Sequence, residues 1–134
     1  GQIITERGFV DASSRIGGMV TSHRYLIFSQ FMADLSKFEK DTNWGLHTAN
    51  KDSRFKVIDI FNHKGKTQIA LLQLPDGFEG VFNQVTDIEE EYVKKARDEF
   101  KKALEMEAIP ELASEIWLER CSFPLGMSDE GEFF

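Results

Sequence analysis

Arg15, His23 and Asp59 are the polar residues in the first half of the chain that could serve a small ligand. The segment 11–18, Asp-Ala-Ser-Ser-Arg-Ile-Gly-Gly, is polar and ends in two glycines, so its backbone could approach an anionic ligand with Arg15 assisting. It matches neither a phosphate-binding loop nor a dinucleotide fingerprint, because the Gly-Lys-Ser/Thr ending and the glycine spacing are absent. A turn between two strands is the simpler interpretation of this segment.

Asp59 interrupts the apolar run Val-Ile-Asp-Ile-Phe over residues 57–61. A buried carboxylate at such a position would need a partner, or its pKa would rise. We expect a satisfied or solvent-facing strand residue, with Lys66 or Gln68 opposite it on the neighbouring strand.

The sequence indicates neither a metal site nor a nucleophilic centre. His23, His47 and His63 lack the i, i+4 spacing of a helical metal site. Ser22 and His23 would point to opposite faces of a strand, so we do not expect them to act as a nucleophile and its base. Cys121 has no catalytic signature around it and is expected to be a small buried hydrophobe. The chain therefore leans toward a protein without catalysis, metal or cofactor, and enzymatic activity stays open.

Carboxylates dominate the last third of the chain. Residues 87–134 contain fourteen acids and six bases, whereas residues 1–86 contain nine acids and ten bases, which together give the net charge of −7. Glu111, Glu115 and Glu119 recur every four residues and would line one edge of a helix. Because like charges at this spacing repel, a face that tolerates them is a candidate surface for a cationic partner. Solvation of a charge run is the simpler alternative.

Three aromatic residues are candidate contacts for such a partner, since aromatic side chains are enriched at the buried centres of interfaces. They are Trp117 and the two C-terminal residues Phe133 and Phe134, which follow an acidic tail. The tail could instead dock on its own domain or fray.

Composition bounds the class of protein. With 134 residues, 41% of them hydrophobic and 12 of them phenylalanine, the chain suits one α+β domain spanning residues 1–134. Net negative charge without a basic stripe disfavours nucleic-acid binding, and no apolar run is long enough to span a membrane. A single cysteine fits a reducing compartment, which predicts a cytoplasmic location. The chain begins with Gly1 rather than methionine, so an upstream segment could have been removed.

The clearest structural pattern is a hairpin. Residues 55–61 and 69–74 read as two strands around the turn 62–66, and residues 23–29 read as a third strand. Shorter strands are expected at residues 3–4 and 9–10. The run 69–74 is apolar at adjacent positions, which is typical of a strand covered on both faces. Helices or a second subunit could supply those covers, so a homo-oligomer is one hypothesis.

The C-terminal part is predicted to be helical. Thr86 and Glu89 form a capping-box pattern before an apolar stripe of Ile88, Tyr92, Ala96, Phe100, Ala103 and Leu104. Pro110 suits the first turn of a second helix whose inner face would contain Leu112, Ala113, Ile116 and Trp117. A shorter helix is suggested by the spacing of Phe31, Leu35 and Phe38. The expected fold is α+β, with an antiparallel sheet mainly from residues 1–75 packed by helices at about 87–107 and 110–120.

Three hypotheses of function follow from these patterns. The first is a non-catalytic interaction module whose acidic helical face binds a basic protein, as in small acidic proteins that neutralise cationic toxins, by analogy of surface alone. The second is a small-ligand domain or small enzyme with a pocket near residues 11–18. The third is a structural homo-oligomer.

Overall fold

The computed structural model describes residues 1–77, 86–122, 124–128, 130 and 132. Its strands and helices are, in chain order, β1 (Ile3–Glu6), β2 (Val10–Ser13), β3 (His23–Phe28), β4 (Ala33–Asp34), β5 (Leu46–Ala49), β6 (Ser53–His63), β7 (Lys66–Gln73), α1 (Asp87–Ala103) and α2 (Glu115–Arg120). Short 3₁₀ turns lie at Ser36–Phe38 and Pro110–Leu112. The predicted α+β class, with strands first and helices after, is confirmed.

The strands form two sheets. The larger sheet has the order β1-β6-β7-β3, and the smaller one has the order β2-β5-β4. Four of the five strand pairs are antiparallel, as predicted, and β3 with β7 is parallel. A parallel pair needs a long crossover, and here β4, β5 and β6 lie between the two strands in sequence.

The β6–β7 hairpin confirms the strongest sequence pattern. Its two-residue loop has positive φ at Lys64 (51°) and Gly65 (77°), the combination that a type I′ turn requires. A β-bulge between Val57 and Asp59 inserts Ile58 as an extra residue in β6. Because a bulge shifts the alternation of side chains, Asp59 lies on the same face as Ile58 rather than the face of Val57.

The hairpin has a separate core on each face. On one face Phe55 and Leu71 pack with Val10 and Ala49 of the smaller sheet. On the other face Ile58 and Ala70 pack with Ala96 of α1. The expectation that β7 is covered on both sides is therefore confirmed, and this chain supplies both covers.

Helix α1 begins as its sequence predicts. The hydroxyl of Thr86 accepts from the backbone N–H of Glu89 at 3.3 Å, and the Glu89 carboxylate accepts from the N–H of Thr86 at 3.1 Å. Glu89 also meets the ammonium group of Lys56 on β6 at 2.9 Å, and both side chains are almost fully buried. This pair fixes the rotation of the first turn, so Glu89 faces inward and Ile88 is 69% exposed. The predicted inner position of Ile88 is wrong for that reason.

The helix boundaries after residue 100 differ from the prediction. Helix α1 ends at Ala103, because residues 104–109 form a connector that packs on Gly17 and Gly18, with the N–H of Gly18 donating to the Glu107 carbonyl at 2.9 Å. The second helix is divided into a 3₁₀ turn and α2. Ser114 starts α2 anew, since its hydroxyl accepts from the N–H of Trp117.

The short helix predicted over Phe31–Phe38 is also wrong. Residues Ala33–Asp34 form β4, and only Ser36–Phe38 turn into a 3₁₀ helix. The Asp34 carboxylate accepts from the N–H of Ser36 at 2.9 Å, a local bond that competes with helix formation.

In the described ranges, no helix combines the length and apolar character that a membrane crossing needs.

Substitution of Gly18 should destabilise the fold because the connector leaves no room for a side chain. A Cβ at Gly18 would lie 2.2 Å from the carbonyl oxygen of Met106, whereas a Cβ at Gly8 would meet only a carboxylate oxygen at 3.5 Å. We expect Gly18→Ala to lower the free energy of unfolding by about 1–3 kcal/mol, the usual cost of overpacking. Urea denaturation measures this change, and Gly8→Ala is the matched control. Equal effects of the two variants would contradict the packing of the connector.

Candidate functional site

Helix α2 is attached to the body of the protein through its inner side. The Trp117 indole is 6% exposed and lies 5.2 Å, centroid to centroid, from the ring of Trp44. Arg120 stacks over the Trp44 ring at 5.4 Å and donates to the carboxylate of Asp11 on β2 at 2.7 Å. These contacts join residues 73 to 109 positions apart, so no local pattern in the sequence could have indicated them.

A carboxylate-bound loop holds Trp44 in place under α2. The Glu39 carboxylate accepts hydrogen bonds from the backbone N–H groups of Trp44, Gly45 and Leu46 at 2.8–3.3 Å, and from the hydroxyl of Thr42 at 3.0 Å. Desolvation raises the pKa of Glu39, but these hydrogen bonds together outweigh it, so the pKa lies below its ordinary value of 4.5. An ionised Glu39 therefore supports the loop that places Trp44 under α2.

The three glutamates predicted to share one helical edge are separated by the break at Ser114. Glu111 lies in the 3₁₀ turn, and its carboxylate is 3.4 Å from the guanidinium of Arg15. Glu115 and Glu119 lie on α2, are exposed, and make no ion pair with any described residue. The prediction of a single edge is thus wrong for Glu111 and right for the other two residues.

Ile116 lies beside the two unpaired glutamates on α2 and is 69% exposed. The sequence pattern placed it on the inner face, because it treated residues 110–120 as one continuous helix. The new start at Ser114 resets the helical phase, so Trp117 points inward and Ile116 points outward. We call Glu115, Ile116 and Glu119 the α2 surface.

Of the three aromatic residues that were predicted to contact a partner, the structure describes only Trp117. Trp117 is buried against Trp44, so it supports α2 from below and is not free to contact a partner. Phe133 and Phe134 lie outside the described residues.

The predicted ligand set of Arg15, His23 and Asp59 is only partly brought together. Arg15 and His23 both line an open groove of about 1620 Å³ between β3, residues 14–22 and the C-terminal segments, and Asp59 does not line it. Arg15 is already engaged, since its guanidinium donates to the Asn43 carbonyl at 2.6 Å and faces Glu111. Residues 11–13 belong to β2, so only residues 14–22 form the connection that was predicted to span 11–18.

Asp59 has a structural partner that the sequence did not indicate. Its carboxylate accepts two hydrogen bonds from Arg97 of α1, at 2.9 Å from Nε and 2.7 Å from Nη2. The hydrogen bond to Asp59 raises the pKa of Arg97. The expected partners were wrong, because the strand register places Asp59 opposite Ala70 and the bulge at Ile58 turns its side chain toward the helix.

Ser22 and His23 are in contact, contrary to the sequence argument. The Ser22 hydroxyl oxygen lies 2.8 Å from the Nδ1 atom of His23, because Ser22 precedes the strand and is not held to strand alternation. Both residues are exposed, and no carboxylate of the described chain forms an ion pair with His23. A nucleophile–base pair usually has a third group that orients the base, and this pair lacks one within the described residues.

Cys121 is exposed, so the expectation of a small buried hydrophobe is wrong, and its thiol is poorly activated. Desolvation, followed by the charge of Asp11, raises the pKa of Cys121 from 9.0 to about 11, although Arg120 lowers it. The thiolate is the nucleophile in cysteine chemistry, so this environment suppresses reactivity. Within the described part of the chain, no three His, Cys, Asp or Glu side chains are grouped to hold a metal ion.

Comparison with known proteins gave no match for this chain, whether among protein-family models, curated proteins or solved structures.

Acidification should loosen the support of α2 through Glu39. A lowered folded-state pKa means that this carboxylate stabilises the fold above about pH 4.5, and that the contribution is lost as pH falls through the folded value. We expect Glu39→Gln to lower the melting temperature at pH 7 and to reduce its further decrease between pH 6 and pH 3. Thermal unfolding followed by tryptophan fluorescence measures both effects. Glu119→Gln is the control, and a wild-type-like pH profile for Glu39→Gln would contradict the role of Glu39.

Alkylation should report the suppressed thiol of Cys121. A rise in pKa from 9.0 to about 11 lowers the thiolate fraction at pH 7.5, while the thiolate that remains is more nucleophilic. Iodoacetamide should therefore react with the folded protein roughly tenfold more slowly than with the urea-unfolded chain. Mass spectrometry of the time course gives both rates. Comparable rates in the two states would reopen the catalytic-cysteine hypothesis.

Proposed function

We propose that this protein is an interaction module whose α2 surface binds a basic protein partner. The single observation that carries the proposal is that Glu115 and Glu119 lie beside an exposed Ile116 on a firmly attached helix and have no ion-pair partner in the described chain. Two carboxylates four residues apart repel each other, and a cationic partner would relieve that repulsion.

The attachment of α2 supports binding by a rigid surface. Three contacts hold the helix or the turn before it: Trp117 with Trp44, Arg120 with Asp11, and Arg15 with Glu111. A surface that is already in place loses little conformational entropy when a partner binds, so a small contact area can still give useful affinity.

The chemistry of the α2 surface specifies the partner. An apolar side chain next to two carboxylates suits a partner that offers a small apolar pocket with lysine or arginine along one side of it. Neutralisation of a cationic toxin is one role of this kind, proposed from the character of the surface. The cytoplasm is the compartment proposed for it, since the lone thiol of Cys121 is not used in an intramolecular disulfide.

The contacts of this chain give less support to the other two hypotheses, the small-ligand site and the homo-oligomer. In the predicted small-ligand site, the carboxylate of Asp59 is already paired with Arg97. The guanidinium of Arg15 is already bonded to Glu111 and to the carbonyl of Asn43. The homo-oligomer was prompted by the doubly apolar strand β7, and α1 and the smaller sheet cover that strand within one chain. Sedimentation at micromolar concentration still tests the homo-oligomer directly.

Charge reversal on α2 tests the proposal. The partner is captured from the native host with the wild-type protein as bait and identified by mass spectrometry, and its affinity is then measured with purified components. Glu115→Lys together with Glu119→Lys should weaken binding at least tenfold at low salt and flatten its salt dependence, because two attractive charges become repulsive. The melting temperature should change little, since neither residue makes an ion pair in the described chain.

Matched variants on α1 distinguish an effect of the α2 surface from a general effect of net charge or of any exposed isoleucine. Glu91→Lys together with Asp98→Lys makes the same change of charge at exposed positions of α1 and should leave affinity nearly unchanged. Ile116→Ala should weaken binding, whereas Ile88→Ala, at an isoleucine with the same 69% exposure, should not. If the α1 variants impair binding as much as the α2 variants, the proposed surface is wrong.

A further inference from the structure

Strand β3 ends the larger sheet and lies along the open groove. The sheet order is β1-β6-β7-β3, and no other strand of the described chain pairs with the outer edge of β3. Residues 22–27 all line the groove, so the free edge faces a concave space. A row of unpaired backbone donors and acceptors is a template for one more strand.

The phase of the β3–β7 ladder identifies the free backbone groups. The N–H of Thr67 donates to the carbonyl of Ser22 at 3.0 Å, and the register pairs His23 with Thr67. A parallel ladder repeats every second residue, so Arg24 and Leu26 turn their backbone groups toward β7. The N–H and C=O groups of Tyr25 and Ile27 therefore lie on the outer edge.

Exposed apolar side chains line the groove. They are Phe9 (60% exposed), Ile16 (49%), Val20 (46%) and Tyr25 (37%). Two of the bases in the groove already have carboxylate partners, since Arg15 pairs with Glu111 and Arg120 pairs with Asp11. Apolar contact and backbone pairing, rather than charge, would therefore select the occupant.

The dimensions of the groove favour a slender chain segment. Residues 22–27 extend for roughly 20 Å along the open groove, a length that suits an extended chain more than a compact small molecule. A second copy of this chain fits less well, because a symmetric dimer requires a self-complementary surface and two concave edges cannot fill each other.

We propose that an extended peptide segment with apolar side chains binds along the outer edge of β3 and adds a strand to the larger sheet. Its backbone pairs with Tyr25 and Ile27, and its apolar side chains contact Phe9, Ile16 and Val20. This mode of recognition takes affinity from main-chain hydrogen bonds and specificity from the positions of alternate side chains. The site is independent of the α2 surface, and its binding should depend little on salt.

Selection from a displayed library of eight-residue peptides supplies the probe. We expect enriched sequences that are rich in β-branched and aromatic residues and lack proline at their centre. A synthetic copy of the best sequence should bind in fluorescence anisotropy, and methylation of its alternate backbone nitrogens should weaken binding at least tenfold. The methylated peptide tests backbone pairing without any change to the protein.

Two measurements on the protein locate the bound peptide. Amide exchange at Tyr25 and Ile27 should slow at least tenfold on saturation, while exchange at Arg24 and Leu26, which already pair with β7, should change little. Tyr25→Pro should abolish binding because it removes an outward N–H without removing a bond to β7. Tyr25→Thr, which keeps that N–H, should retain more binding than the proline variant.

Several outcomes would overturn the proposal. They are failure to enrich any peptide, binding that tolerates backbone methylation, and unchanged exchange at Tyr25 and Ile27. Self-association of the protein that is lost in Tyr25→Pro would assign the edge to a second copy instead. Basic peptides that bind the wild type but not the Glu115→Lys/Glu119→Lys variant would report the α2 surface, so the failure of one proposal does not decide the other.

Discussion

Burial of the β6–β7 hairpin on both faces is the constraint on which the other contacts of this protein depend. Leu71 needs an apolar cover on one side of β7, and Ala70 needs one on the other. The smaller sheet supplies the first cover and α1 supplies the second. Because a strand with either face uncovered would expose a continuous apolar surface, the two layers are required together.

Two ion pairs between the hairpin and α1 fix how the helix covers that strand. Lys56 with Glu89 and Arg97 with Asp59 both join β6 to α1, about two turns of helix apart. Buried charges contribute little net stability compared with apolar packing, but an unpaired one is costly, so such pairs disfavour other rotations of the helix. The bulge at Ile58 allows this arrangement, since it brings an apolar residue and the next carboxylate to the same face.

The two proposed surfaces lie on elements outside the hairpin, and only one of these elements is bonded to it directly. Helix α2 is fixed by Trp44, Asp11 and the Glu39 loop, which belong to or adjoin the smaller sheet. Strand β3 is fixed on one side only, by its parallel ladder with β7. The acidic α2 surface is suited to a cationic partner and the β3 edge to an extended backbone. The two surfaces therefore differ in the salt dependence expected of them.

The sequence alone determined the elements whose causes are local: the hairpin with its Gly65 turn, the capping box of Thr86 and Glu89, and the double burial implied by the apolar run of β7. It also identified Glu115 and Glu119 as a pair on one helical edge. Only the tertiary structure decided which distant groups meet, as in Asp59 with Arg97, Asp11 with Arg120 and Glu39 with the backbone near Trp44. The physical reason is that the spacing of side chains within one helix or strand follows from the repeat of that element, which the sequence shows directly. A bulge, a new helix start or a crossover changes the face on which a residue lies relative to the rest of the chain, and only the folded structure shows that change.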